Sequence, residues 1–105
     1  MADLSTADLA MLRDLMQGVQ NVVETPIAFD RSDPDKNRMR EIQGLVGLIV
    51  RSELTAGNAA RLLQLVGQLK LLFEDIAGVG TRVSMKPAAR LVEKAVGIIR
   101  SATDS

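Results

Sequence analysis

Apolar side chains recur at Leu9, Leu12, Leu15, Met16, Val19, Val22 and Val23, a three-and-four spacing that predicts a helix with one face turned inward. The residues before it supply a start signal. Ser5 is suited to cap the helix, Asp8 follows three positions on, and Leu4 and Leu9 stand where a hydrophobic staple needs them. Pro26 disfavours helical backbone at Thr25, so this element is predicted over 5–24. Residues 25–33 read as a loop, with Ile27 and Phe29 expected to tuck over the bundle.

A second helix is predicted over 34–52. Asp33 is placed as its cap, Pro34 is at the first helical position, and Met39, Ile42, Leu45, Val46, Ile49 and Val50 form its stripe. Gly44 and Gly47 interrupt it, each at a cost of roughly 1 kcal/mol against Ala. They point either to a close helix approach or simply to a weaker helix.

The third helix, capped from Thr55 and predicted over 56–77, is the most apolar. Leu62, Leu65, Leu69, Leu72 and Ile76 keep a heptad-like order, and Val66 and Phe73 widen the seam. Leu63 and Leu71 lie away from it. A helix apolar over more than half its circumference is either the buried centre of a fold or a partner surface. Three other helices are few to cover it. Leu62, Leu65, Leu69, Leu72, Phe73 and Ile76 are therefore candidate self-association residues.

Gly78-Val79-Gly80 ends that helix, and a fourth is predicted over 85–101 from a Ser84 cap. Ala88, Leu91, Val92, Ala95, Val96, Ile98 and Ile99 make its stripe, and residues 102–105 are expected to fray. No alternating strand pattern and no internal repeat interrupts this reading. The expected fold is all-α, a four-helix bundle or paired helical hairpins forming a single domain over 1–105.

Composition narrows the chemistry. Apolar residues make up 47% of the chain but aromatics only 2%, namely Phe29 and Phe73, so the core must be aliphatic. Nucleic-acid modules that stack bases on aromatic rings are disfavoured. There is no Cys and no His, which removes disulfides, thiol chemistry, the commonest general base and the commonest metal ligand. No cofactor and no metal site is expected. The acidic start Met1-Ala2-Asp3-Leu4 lacks the pattern of a signal peptide, and the longest apolar run, 44–50, is too short to span a bilayer. A cytoplasmic protein is expected, of a size and plainness that suit a bacterial or phage source.

Net charge is zero but unevenly spread. Residues 1–35 carry seven acids against Arg13 and Arg31, whereas 78–105 carry five bases against Glu93 and Asp104. Opposed ends of this kind can attract one another between chains. Arg82, Lys86, Arg90 and Lys94 stand four apart, a ladder suited to phosphates, to solvent, or to the acidic first helix of a neighbouring chain.

Other motifs are weaker. Asp33-Pro34-Asp35-Lys36-Asn37 begins like a calcium loop, but Arg38 stands where Gly is needed and Gly44 where the bidentate Glu belongs. Gly78-Val79-Gly80-Thr81 reads as a helix stop or a small anion-binding nest, without the strand or the Lys of a P-loop. Phe73-x-x-Ile76-Ala77-Gly78-Val79-Gly80 resembles the hairpin of a helix-hairpin-helix DNA-binding motif over about a dozen residues, although Ser84 and Pro87 interrupt the expected second helix. Residues 54–63 have the flavour of a first helix in a helix-turn-helix, but a turn at Gly67 would split the longest apolar pattern. Without His, a Ser or Thr nucleophile would need a Lys or a carboxylate as its base; no pair of acids stands out as buried at helical spacing in an apolar stripe, and Glu74 and Asp75 are expected to face outward.

An enzyme is therefore not expected. The expected role is a protein–protein interaction or assembly module that self-associates: a small homo-oligomeric adaptor, inhibitor or structural subunit. The alternative is nucleic-acid binding through the basic fourth helix. A membrane-surface helix is disfavoured by zero net charge and the lack of Trp.

Overall fold

The computed structural model describes residues 3–24, 35–77 and 85–104, and these form an all-α bundle of four helices. Helix α1 spans Thr6–Val23, α2 Asp35–Leu48, α3 Ala59–Ala77 and α4 Lys86–Thr103. The predicted cap of α1 is present: Ser5 is extended and its hydroxyl accepts from the Asp8 amide at 3.0 Å. Leu4, the outer half of the staple, is buried, and its amide donates to the Ala56 carbonyl at 2.9 Å. This bond ties the start of the chain to the turn before α3. At the far end of α1, the Gln43 side chain donates to the Val23 carbonyl at 2.7 Å. It thereby satisfies one of the acceptors that every helix end leaves without an internal partner.

The second helix departs from a plain α-helix at its end. Residues Ile49–Glu53 widen into a π-turn, followed by extended Thr55 and a 3-10 turn at Ala56–Asn58. The Ser52 hydroxyl donates to the Leu48 carbonyl at 3.0 Å, so a side chain takes up an acceptor in the helical ladder where the turn widens. Thr55 sits at the cap position of that 3-10 turn, but its side chain makes no capping bond. Asn58 instead ties the turn together, donating to the Glu53 carbonyl and carboxylate at 3.1 and 2.6 Å. At α4 the cap position is held by Met85, again without a side-chain bond. The last helix runs two residues past its predicted end at Ser101. The helix continues to Thr103, whose hydroxyl bonds the Arg100 carbonyl at 3.1 Å, as does the Asp104 amide at 2.9 Å.

One core unites the four helices. Leu12, Met16, Val19 and Val23 of α1 meet Met39, Ile42 and Val46 of α2, the α3 seam, and Ala88, Val92, Ala95, Val96 and Ile99 of α4. Helix α1 lies between α2 and α4, and α3 lies on their other side. The four therefore form a ring. Helices α1 and α4 run antiparallel, as in an up-and-down bundle: Gly18 lies against Leu91, while the earlier residues Asp8, Met11 and Leu15 share a groove with the later Lys94, Ile98 and Ser101.

The glycines resolve an open question. Neither Gly44 nor Gly47 serves a close helix approach. Among the described residues a methyl group at Gly44 would meet open space, and one at Gly47 would meet the Arg51 guanidinium of the π-turn that follows α2. The close approach lies at Gly18, where a Cβ would come within 3.0 Å of Leu91 Cδ1 on α4. Helix α3 runs unbroken through Gly67, which leaves no place for a helix-turn-helix bend there. Asp33 and Pro34, Ile27 and Phe29, the glycine segment 78–80, and the proposed Ser84 cap lie outside the described residues.

Candidate functional site

The α3 seam lies inside the chain. Leu62, Leu65, Leu69, Phe73 and Ile76 are all buried, and Leu72 is half-buried. They face the common core, with α2 and α4 on either side of α3 and the turns between α2 and α3 against it. The outward side of α3 carries Leu71, 63% exposed, together with the exposed Glu74 and Asp75. Lys70 and Glu74 form a loose pair at 3.9 Å.

Among the described residues two other large apolar side chains are exposed: Leu48, 36%, in the groove between α2 and α3, and Met11, 52%, in the groove between α1 and α4. Leu15 and Ile98 are half-buried beside it, and Gly97 has no neighbour within 4 Å of where a Cβ would stand. Asp8 and Ser101 border one end of the groove and Lys94 the other, around an open volume of about 640 Å³. Helix α1 therefore brings an acid to one end of the groove and α4 brings a base to the opposite end. Asp8 was legible in the sequence only as a first-turn residue of α1. Met11 falls just outside the α1 stripe and gave no signal of its own.

The basic ladder is placed in part. Lys86, Arg90 and Lys94 are exposed along α4, with Glu93 also exposed among them, and Arg82 lies outside the described residues. Lys94 thus belongs both to the ladder and to the groove. Among the described residues no group of three or more His, Cys, Asp or Glu side chains could hold a metal ion. No described helix is long and apolar enough to cross a membrane.

Further concavities lie among the described residues. One, between α2 and α3, is lined by Glu41, Gly44, Leu45, Leu48, Gln68 and Leu72. Another lies between α1 and the π-turn and is lined by Arg13, Gln17, Val50, Arg51, Ser52, Leu54 and Thr55. The chain matches no protein-family model, no curated protein and no solved structure.

Proposed function

We propose that this protein is a self-associating assembly module whose interface is the α1–α4 groove. The observation that carries the reading is the groove's arrangement: exposed Met11 with Leu15 and Ile98 at the centre, Asp8 at one end and Lys94 at the other. Burying such side chains is favourable by about 1.5–3 kcal/mol each when complete. The charges supply register. In a two-fold contact, any pairing of one residue with a partner residue occurs twice. A geometry that sets Asp8 on the partner's Lys94 therefore sets Lys94 on the partner's Asp8. One groove, repeated in two copies, closes at both ends.

Light scattering over a range of concentrations tests this. The expected mass rises from 11.3 kDa toward twice that value. Asp8→Lys and Lys94→Asp each weaken association, and the double exchange restores it. A strict monomer at every concentration, or a double exchange that rescues nothing, overturns the reading.

A second reading rests on the exposure of Lys86, Arg90 and Lys94 at every fourth position of α4. They suit a phosphate backbone, with binding that weakens as salt rises. Under that reading Arg90→Glu with Lys94→Glu abolishes nucleic-acid binding, and no binding at low salt removes it. Rescue of Lys94→Asp by Asp8→Lys is expected only from self-association.

A further inference from the structure

We infer that the cleft between α1 and the π-turn is a phosphate-binding site, with Arg13 and Arg51 as its charged ligands and the Ser52 and Thr55 hydroxyls beside them.

The cleft has an open volume of about 320 Å³, more than a bare phosphate fills, and Val50 and Leu54 give it an apolar wall. Arg13 is the only base on α1, and Arg51 lies within the π-turn. Neither arginine has an ion-pair or hydrogen-bond partner among the described residues. Both side chains are exposed and line the same cleft, so a dianion held there is attracted by two positive charges at once. Their planar donors match phosphate oxygens in pairs. Among the described residues no carboxylate lines the cleft. The acid nearest in sequence to Arg51 and Ser52, Glu53, is engaged by Asn58 at 2.6 Å. The Ser52 hydroxyl donates to Leu48, which leaves its oxygen lone pairs free and makes Thr55 the readier hydroxyl donor.

Two features of the backbone set the position of Arg51. The π-turn shifts Arg51 and Ser52 relative to a regular helix, and such turns occur disproportionately at functional sites. Gly47 then lets the guanidinium fold back against α2: the atoms nearest to a Cβ built there are Arg51 Nη1, Cζ and Nη2, at 3.1, 3.6 and 3.7 Å. The ligand chemistry is a phosphate dianion, either the free ion or a small phosphomonoester whose remainder lies on Val50 and Leu54. None of these residues borders the α1–α4 groove, so the inference is independent of self-association.

The test is an amide NMR titration of the full chain at pH 7.5 with inorganic phosphate and with phenyl phosphate. Sodium chloride at matched ionic strength is the control. Saturable shifts are expected at Arg13, Arg51, Ser52 and Thr55, and not with chloride. Tighter binding of phenyl phosphate identifies an ester as the ligand, and equal binding identifies the free ion. Arg13→Gln and Arg51→Gln are each expected to weaken binding at least fivefold with the Tm of the free protein unchanged. Gly47→Ala displaces the guanidinium, so binding weakens severalfold while Tm rises. A merely structural role would move both properties in the same direction. Shifts that fail to saturate, that chloride reproduces, or that survive both arginine substitutions overturn the inference.

Discussion

The α3 seam and the α1–α4 groove are both apolar, yet they stand in opposite relation to solvent. On α3, Leu62, Leu69, Phe73 and Ile76 are sealed by the other helices. In the groove, Met11 keeps half its surface in water. The seam is the richer in apolar residues and would be chosen first as a partner surface from sequence alone. In the structure the seam lies inside the chain, with Leu72 alone half-buried. The seam of the most hydrophobic helix faces the common core between α2 and α4, and the leftover apolar surface falls on the flanks of helices whose main stripes are already satisfied.

The comparison can be broken from the seam side first, where the largest effect is expected. Phe73→Ala should cost about 3–5 kcal/mol, the sum of lost burial and a cavity. Against a typical domain stability of about 5–15 kcal/mol, that is a large fraction. Chemical denaturation reads it, and the loss should appear at every protein concentration. From the groove side, Met11→Glu should leave the fold of the single chain intact. Because a two-fold contact contains Met11 twice, dimerisation should weaken by at least tenfold, or about 1.4 kcal/mol. Sedimentation equilibrium measures it. If Met11→Glu unfolds the chain while Phe73→Ala spares it, the contrast between the two regions is reversed.

Smaller effects sharpen the same picture. Ser5→Ala removes the α1 cap and should cost about 1 kcal/mol in thermal or denaturant unfolding. This would confirm that the α1 side of the groove depends on that local bond. The two glycines offer the finest comparison. Gly44→Ala meets no neighbour and should stabilise the chain by roughly 1 kcal/mol through helix propensity alone. Gly18→Ala carries the same propensity gain but places a methyl 3.0 Å from Leu91 Cδ1, so it should fall short of Gly44→Ala. Equal gains at both sites would show that Leu91 yields freely and that α1 and α4 are not held closely.

Much of the architecture was open to a reader of the chain. The Ser5 cap is a matter of one hydroxyl and one amide three residues apart. The stripes of α1 and α3 follow from the helical repeat, as does the outward placement of Leu71, Glu74 and Asp75. The end of α2 was less legible. The Ser52 bond to Leu48 and the π-turn depend on how Ile49 and Leu54 are drawn into the core, which periodicity does not record. The same holds for Gly47, whose only visible signal was a penalty and whose neighbour proved to be Arg51.

By itself, then, the sequence determined the helices, their inward faces and the absence of His and Cys chemistry, because these depend on residues within a few positions of one another or on composition. The tertiary structure alone decided which apolar surface is covered and which charges share a site. Asp8 and Lys94 are distant in the chain, as are Arg13 and Arg51, and each pair comes to line one concavity only through the packing of one helix against another. That packing is selected by the fit of whole faces, a property no local spacing encodes.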